Sequence, residues 1–415
     1  MIRSGRMPFD ATPPAHAACS LRPIAVKPVV TRGFAAPGIP VARPRLPDAH
    51  AILPYLQEID ANHWYANHGL LWLRLQSRLA MHWGLQPESV ALTANATLAL
   101  ALALRASGVA AGRKCLMPSW TFVATAAAAR EAGLIPHFAD VDPDTWALDP
   151  DAVEARPDLH EMGAILIVAP FGSPVDTARW DALSARTGIP VVIDAAAAFD
   201  ALRAGGPMEV GQSPVIVSLH ATKVFGIGEG GAVLSRNREW LERLRRLSNF
   251  GFLGSREAVL AGTNAKLSEY AAAVGLAALD AWPQTRLAWQ VLTRHYAEAL
   301  ADDSQLAPSP GFGADWVSAT LSICLPQDLL RGLDCLASEG IGTLRWWGDG
   351  CHRQPAYAEC PRDPLPVTEA IARRSVGLPF WRDMTATQVD HVCDVLRRME
   401  GPVSLRPRQA AGSAC

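Results

Sequence analysis

The sequence predicts an α/β protein, with a large, mainly parallel β-sheet covered by helices on both faces and a smaller α+β domain after it. Its 415 residues are too many for one compact core and suit a large domain joined to a smaller one. Predicted strands alternate with predicted helices, and the strands are almost continuous apolar runs, as expected when both faces of a sheet are buried. We therefore expect a large domain over residues 37–285 and a small C-terminal domain over 286–402.

The alternation begins near Ala91 and continues to Ser235. Strands that alternate with helices of about 10 to 15 residues indicate parallel β-α-β units in one sheet. Helices are predicted at 98–109, 121–133 and 176–188, and strands at 114–119, 135–142, 164–172, 190–198, 214–220 and 231–235.

The rest of the chain predicts a different arrangement. Two helices are predicted at 266–282 and 285–303, with a break near Pro283. A strand at 318–326 and a helix at 385–400 then indicate the α+β domain. Residues 1–36 are rich in Pro and Ala, so we expect a disordered extension rather than a signal peptide, and residues 403–415 are expected to form a tail.

Composition limits the classes of partner. The net charge is −2 and no long apolar run is present, so we expect a soluble protein with neither nucleic acid nor a membrane as partner. The eight cysteines form no C-x-x-C pair, which favours reduced thiols and a cytoplasmic location. Cys351 and His352 are adjacent, but no second Cys/His pair lies at ligand spacing, so we predict no metal site.

Three groups of polar residues are predicted at the carboxyl ends of strands, where ligands of open α/β sheets bind. Asn95-Ala96-Thr97 precedes a helix whose free N–H groups suit a phosphate, although a plain N-cap explains the same residues. Asp194 could pair with a cationic ring nitrogen or cap the following turn. Lys223 lies among small and apolar residues, where burial would favour the neutral, nucleophilic amine, whereas most lysines are solvated surface groups.

A fourth group is the stretch SLHATKVFGIGEGGAVLS at 218–235, which contains G-x-G-x-x-G at Gly226, Gly228 and Gly231. A dinucleotide-binding fingerprint needs a strand before the glycines and a helix that opens within them. Here the glycines precede a predicted strand. We therefore expect them to let the loop turn tightly and approach a bound group, with a nicotinamide oxidoreductase as the weaker alternative.

Together these groups resemble the DegT/DnrJ/EryC1/StrS aminotransferases. The resemblance spans roughly Gly38 to Met399 and rests on five stretches in the same order, at 117–150, 191–201, 218–235, 262–280 and 365–380. It implies the fold type I of pyridoxal-phosphate-dependent transferases, pyridoxal 5′-phosphate as cofactor, and a homodimer. It also implies an aminotransferase that acts on a nucleotide-activated keto-deoxysugar, such as a dTDP-linked ketohexose, with glutamate as donor in surface-polysaccharide or metabolite synthesis.

Site roles follow from this resemblance, residue by residue. Lys223 resembles the lysine that holds the cofactor covalently, and Asp194 resembles the aspartate that pairs with the ring nitrogen. Thr97, Ser218 and the backbone N–H of Ala96 are then expected to hold the cofactor phosphate.

Two further positions complete the expected cofactor site. Phe122 resembles the aromatic residue that stacks on the cofactor ring, with Trp120 as its rival. Asn264 resembles the asparagine that reaches the phosphate from the partner subunit, so the active site would be a property of the dimer. His220 lies close to the lysine but receives no role.

The chain departs from the family pattern at three places. Ala96 replaces a usual Gly, Ala197 replaces a usual Gln near the ring oxygen, and Phe199-Asp200 replaces His-Gly. None of these changes removes a group that transamination needs. Lys223 argues against the dehydrating branch of the family, which has His there, and a non-catalytic homologue that binds or regulates remains the alternative.

The substrate is expected near GTLRWWGDGCHRQPAY, residues 342–357, in the small domain. Arg345 could pair with a substrate phosphate, since guanidinium matches phosphate oxygens in a fork. Trp346 or Trp347 could stack on the base or sugar, and His352 could donate a hydrogen bond. Adjacent residues of a strand point to opposite faces, so one tryptophan is expected to pack in the core.

Overall fold

The computed structural model describes residues 38–301, 306–326 and 333–400. The predicted extension at 1–36 and the predicted tail at 403–415 lie outside these residues. Among the described helices, none is long and apolar enough to span a membrane.

The elements are numbered in chain order. The strands of the described chain are β1 (Val90–Thr93), β2 (Lys114–Pro118), β3 (Ile135–Ala139), β4 (Met162–Val168), β5 (Val191–Asp194), β6 (Val215–Ser218), β7 (Gly231–Leu234), β8 (Ala307–Pro308), β9 (Leu321–Cys324) and β10 (Ser375–Leu378). Its α-helices are α1 (Ala49–Asn62), α2 (Leu70–His82), α3 (Ala96–Ala106), α4 (Val123–Glu131), α5 (Pro150–Glu154), α6 (Thr177–Thr187), α7 (Arg238–Ser248), α8 (Glu269–Asp280), α9 (Trp282–Leu300), α10 (Leu333–Ser338), α11 (Pro366–Arg374) and α12 (Ala386–Glu400).

Strands β1 to β7 form one sheet in the order β1-β7-β6-β5-β4-β2-β3. Strand β7 runs antiparallel to β1 and β6, and the other neighbouring pairs are parallel. Every strand except β7 therefore points the same way, so their carboxyl ends lie along one edge of the sheet. The prediction of a mainly parallel sheet is confirmed.

Burial on both faces explains why these strands are continuous apolar runs. Along β5, Val192 packs into a cluster with residues of α3, α4 and α7, whereas Ile193 packs into a cluster with residues of α2, α6 and α8. Both side chains are fully buried. Since successive residues of a strand point to opposite faces, a sheet with helices on both sides needs apolar residues at every position.

The predicted elements of this sheet are found, mostly with shorter bounds. The strand predicted at 190–198 ends at Asp194, because the chain turns there and Ala198 N–H donates to the Ala195 carbonyl over 2.9 Å. The prediction omitted strand β1 and helices α1, α2, α5 and α7. Helix α7 could have been found from its sequence, because Leu241, Leu244 and Leu247 recur at helical spacing and are buried together.

A second, antiparallel sheet has the order β10-β9-β8. It lies within the predicted small domain, and its central strand β9 corresponds to the strand predicted at 318–326. Helices α8 and α9 meet at Ala281, beside the predicted break at Pro283. Because α9 runs across position 285, the exact domain boundary stays a prediction.

Candidate active site

Asp194 and Lys223 come from neighbouring strands of the large sheet. Asp194 is the last residue of β5 and is buried. Lys223 lies on the loop that follows β6, the parallel neighbour of β5, and is partly buried. Because parallel strands end at the same edge, residues far apart in the sequence are brought to one place.

The Asp194 carboxylate is held by two donors. Its Oδ2 accepts a 2.8 Å hydrogen bond from Thr125 Oγ1, and its Oδ1 accepts one of 3.2 Å from the Ala196 N–H. Burial raises the pKa of Asp194, and these two hydrogen bonds and the nearby charge of Lys223 oppose that shift. Within the described residues no Arg or Lys hydrogen-bonds to this carboxylate, so it can still accept a cationic partner.

Burial acts in the opposite direction on Lys223. It lowers the pKa of the amine, and attraction to Asp194 opposes the shift. A lowered pKa increases the fraction of neutral amine, which is the nucleophilic form. Lys223 is thus suited to covalent chemistry at a pH where a solvated lysine is almost entirely charged.

The glycine run shapes the loop between β6 and β7 that carries Lys223, called the lysine loop below. The Ala221 N–H donates to the Gly228 carbonyl over 2.8 Å, and Gly228 has a positive φ of 96° that favours glycine. The run leads directly into strand β7 and not into a helix. The alternative of a dinucleotide-binding fingerprint at these glycines is therefore wrong.

Gly231 lets the end of the lysine loop pack closely against the start of α3. A Cβ there would lie 2.7 Å from Thr93 Oγ1 and 2.8 Å from the Ala96 nitrogen, so only glycine allows this approach. Gly231 also pairs with Thr93 on one side and with Ser218 on the other. The N-terminus of α3 and the end of β6 therefore lie on either side of one glycine.

This arrangement suits an anion. Asn95 caps α3 by accepting a 2.9 Å hydrogen bond from the Leu98 N–H, and the first N–H groups of a helix have no carbonyl partner within it. Ala96 and Thr97 open the helix, and Ser218 Oγ accepts a 3.3 Å hydrogen bond from the His220 N–H. The predicted phosphate ligands are thus brought together.

The two candidates for the ring-stacking aromatic differ in exposure. Phe122 is 56% exposed and directly precedes α4, the helix whose Thr125 holds Asp194. Trp120 is buried and makes edge contacts with Trp146 and Trp347 at ring distances of 6.2 and 5.1 Å. Only Phe122 of this pair offers an open ring face at the sheet edge.

Two of the residues that depart from the family pattern, Phe199 and Asp200, pack into the interior. The Phe199 ring stacks on Phe225 at 4.3 Å and on His82 at 4.6 Å. Asp200 is fully buried and accepts hydrogen bonds from Arg286 Nε at 2.7 Å and from the Val317 N–H at 3.0 Å. Phe199 and Asp200 therefore anchor the loop after β5 to the interior.

Asn264 is exposed, and its neighbour Ala265 contacts the backbone just before α3. Its Oδ1 accepts a 2.7 Å hydrogen bond from Lys266 Nζ, while the backbone of Ala265 accepts one of 2.8 Å from the Ala94 N–H. Within the described residues Asn264 makes no hydrogen bond to Ala96, Thr97 or Ser218, and its contact with a partner's phosphate site stays a prediction.

The predicted substrate stretch forms a turn rather than a strand beyond Leu344. Arg345 Nη2 donates to Asp349 Oδ1 and to the Ala372 carbonyl, both at 2.6 Å. Trp347 stacks on Phe171 with a ring distance of 4.1 Å.

The other two residues of the stretch face the interior. Trp346 packs on Gly377 of β10, where a Cβ would clash with its ring. His352 is buried, and its Nδ1 lies 2.7 Å from Ser119 Oγ at the end of β2. Burial, together with the nearby Arg353, lowers the pKa of His352. Trp347 is thus the residue of this stretch that stacks on aromatic residues beside the sheet edge. The substrate roles of Arg345, Trp346, Trp347 and His352 stay predictions.

Sequence reasoning missed Thr125. Its hydroxyl is a link between Asp194 and Thr121, whose Oγ1 lies 2.7 Å away. The signal was present, because Thr121 and Thr125 are four residues apart and would share a helix face. Nothing in the sequence alone showed that this face meets Asp194.

The fold and this arrangement of lysine, buried carboxylate and helix N-terminus define a pyridoxal-phosphate-dependent aminotransferase of fold type I. The sequence profile of the DegT/DnrJ/EryC1/StrS aminotransferase family matches residues 48–397, and the chain belongs to this family. The predictions of family, fold and cofactor are confirmed.

Curated relatives align over most of the chain. Protein Rv3402c of Mycobacterium tuberculosis strain H37Rv is 32% identical over 380 residues, which are 89% of this chain and 92% of the relative. The dTDP-4-amino-4,6-dideoxy-D-glucose transaminase of Escherichia coli is 32% identical over 368 residues, which are 86% of this chain and 98% of the relative.

Solved structures of aminotransferases superpose on most of the chain. A putative PLP-dependent aminotransferase from Bacillus cereus superposes with a TM-score of 0.80 at 32% identity and covers 86% of this chain and 99% of its own. The enzyme DesI, solved in the presence of its TDP-sugar product, superposes with a TM-score of 0.76 at 32% identity and covers 88% of this chain and 93% of its own.

The residues present fit the cofactor. A buried Asp194 without a hydrogen-bonded cation suits a protonated ring nitrogen, and the space kept free by Gly231 lets the Ala96 N–H approach a phosphate. When bound, pyridoxal phosphate supplies an electron sink for the carbon that loses its proton.

Proposed function

We propose that this aminotransferase transfers an amino group from glutamate to a keto-deoxysugar that is linked to a nucleotide. The position of Lys223 near the buried Asp194, on the loop after the neighbouring strand, is the observation that carries the transamination part. The sugar part rests on relatives, since the Escherichia coli protein is named for a dTDP-sugar and DesI was solved with a TDP-sugar.

In this proposal Lys223 has two tasks. With the cofactor bound, Nζ would hold it covalently, and the neutral amine released by the donor would accept the proton from the donor carbon. The same amine would later deliver a proton to the carbon of the sugar that receives nitrogen. Asp194 would keep the ring nitrogen protonated, while Thr125 and the Ala196 N–H fix the orientation of its carboxylate.

The remaining cofactor contacts are proposed from the same geometry. Ala96, Thr97 and Ser218 would hold the phosphate, and Phe122 would cover one face of the ring. Asn264 of the partner subunit would complete the phosphate site.

The test is to supply purified protein with glutamate and a panel of keto-sugar nucleotides. We expect an amino-sugar nucleotide and 2-oxoglutarate in equal amounts, together with an absorbance change when glutamate alone is added. A normal response to glutamate without any sugar product would overturn the sugar assignment. No response to any amino acid would favour a binding or regulatory homologue.

A homodimer is part of the proposal, and exposed aromatic residues support it. Trp64, Tyr65 and Tyr270 are each 45–48% exposed, and the rings of Tyr65 and Tyr270 stack at 6.3 Å. Grouped large apolar side chains on a surface are typical of protein interfaces. An active site that is shared between subunits requires a second copy of the chain, and that copy would cover these aromatic residues.

Mixing two inactive variants tests this assembly. If Asn264 of the partner subunit completes each site, a heterodimer of Lys223→Ala and Asn264→Ala contains one site with both groups intact. Random exchange at equal concentrations should then restore about a quarter of the wild-type activity. Each variant alone is the control, and exchange is verified by tagged subunits. Exchange without recovery would mean that each site is built within one chain.

The substrate stretch allows a second test in the same assay. We expect Trp347→Ala to raise the KM for the sugar nucleotide by about 10-fold, while the reaction with glutamate alone is nearly unchanged. Arg345→Ala is predicted to raise the same KM if Arg345 pairs with a substrate phosphate. Its melting temperature is measured as well, because Arg345 also bonds to Asp349 and Ala372. A parallel loss of both half-reactions in Trp347→Ala would show that the stretch only supports the fold.

A further inference from the structure

A crevice beside the lysine loop has an unusual charge. It has a volume of about 30 Å³ and is bounded by residues 42–45, 221–224 and 380–382, with Trp289 and Ala319. Its ionisable lining residues are all basic, namely Arg43, Arg45, Lys223 and Arg382, and no carboxylate lines it. Such a lining is complementary to an anion.

The wall that carries the arginines is fixed in place. The segment 39–45 is tied to the residues after β10 by a 3.1 Å hydrogen bond from the Phe380 N–H to the Val41 carbonyl and one of 2.9 Å from Trp381 Nε1 to the Pro40 carbonyl. The Gly342 N–H donates to the Ile39 carbonyl over 2.8 Å. The arginines of this wall are therefore presented by an ordered backbone.

The three guanidinium groups differ in their partners. Arg45 Nη1 lies 2.7 Å from Asp383 Oδ1, so its charge is already paired. Arg382 Nη1 donates to Thr285 Oγ1 at 2.7 Å, and its Nη2 makes only a long hydrogen bond of 3.5 Å to the Arg45 carbonyl. Arg43 lies over the Trp381 ring at 5.4 Å. In the described ranges neither Arg43 nor Arg382 has a carboxylate within salt-bridge distance.

Arg382 is also partly buried, and this burial lowers its pKa, with Arg45 acting in the same direction and Asp383 against it. A partly desolvated cation next to a second cation is stabilised by a bound anion more than a solvated one is. The crevice thus has a reason to bind a negative group beyond ordinary surface charge.

We propose that Arg43 and Arg382 bind a carboxylate of the amino donor while its amino group reacts at the Lys223 site. This proposal rests on the proposed function, because a transamination donor is an amino acid and brings a carboxylate to the reacting lysine. Guanidinium matches a carboxylate in a two-point fork. The crevice, at about 30 Å³, has room for one such group.

The test compares Arg382→Gln and Arg43→Gln with Arg179→Gln. Arg179 is a surface arginine on α6 that is paired with Asp149 and Asp151, so its loss changes the net charge equally without touching the crevice. The glutamate half-reaction is followed by absorbance without any sugar, and binding of 2-oxoglutarate to the cofactor-free protein is followed by calorimetry. Melting temperatures identify any variant that folds poorly, and Arg382→Lys keeps the charge without the fork.

We expect Arg382→Gln and Arg43→Gln to raise the KM for glutamate by about 10- to 100-fold, as a lost charge-assisted hydrogen bond does, with a smaller change in kcat. Calorimetry should show 2-oxoglutarate binding weakened by a similar factor. Arg382→Lys should recover part of the loss, and Arg179→Gln should match the wild type.

Three results would overturn the proposal. A raised KM for the sugar nucleotide with normal glutamate kinetics would assign the crevice to the diphosphate. Unchanged kinetics in both half-reactions would leave it a solvated surface, and an equal fall in both would give the arginines a purely structural role. Because the glutamate step is measured without sugar, a wrong sugar assignment leaves these readings intact.

Discussion

Replacing Lys223 with Ala should abolish covalent attachment of the cofactor and reduce turnover by about 10³-fold or more. The variant loses both the group that holds the cofactor and the amine that moves the proton. Borohydride reduction followed by peptide mapping should find the cofactor on Lys223 in the wild type and on no lysine in the variant. Turnover with glutamate and the preferred sugar nucleotide measures the second loss.

Lys266→Ala is the matched control, because burial lowers the pKa of Lys266 as well. Its Nζ is engaged by Asn264 Oδ1 at 2.7 Å and lies over the Phe250 ring at 4.6 Å, so it should carry no cofactor. Lys114 begins β2, at the opposite edge of the sheet, and pairs with Glu161. Cofactor mapped to Lys114 or Lys266 would show that the site has been placed wrongly.

The sheet could be predicted because its physical cause is local. Residues such as Val192 and Ile193 are apolar on both faces, and helices of the expected length separate the strands. Helices α1 and α2 were not predicted, and parts of them are exposed. In α1 only Ile59 is buried, so its apolar pattern is weak. The position of such helices depends on what they pack against, which the sequence does not state.

The chemistry of the site could also be predicted, through residues at strand ends. Asp194 ends a buried strand and Lys223 lies on the loop after the next one, and both stand out because charged residues in such apolar surroundings are uncommon without a partner. Contacts between distant parts of the chain could not be predicted. Arg43 and Arg382 line one crevice only because the segment 39–45 folds onto the residues after β10. Arg345 looks available in the sequence, although in the structure it donates to the Ala372 carbonyl.

Replacing Asp194 with Asn should lower turnover by about 10²-fold or more, since a preorganised charge next to a reacting group has effects of this size. The amide keeps the shape of the side chain and can still accept the hydrogen bond from Thr125. It lacks the negative charge that keeps a ring nitrogen protonated, so the cofactor becomes a weaker electron sink. Cofactor affinity should fall less, because Lys223 and the phosphate contacts remain.

Asp200→Asn provides a matched control for this change, since Asp200 is a buried carboxylate only a few residues further along the same loop. It faces Arg286 and Val317 instead of the cofactor site, so its loss should lower the melting temperature and leave the spectrum of the bound cofactor unchanged. Asp194→Asn should instead shift the pH dependence of the cofactor spectrum, because the ring nitrogen then loses its proton at lower pH. Near-normal turnover in Asp194→Asn, or the same spectral shift in both variants, would remove Asp194 from the mechanism.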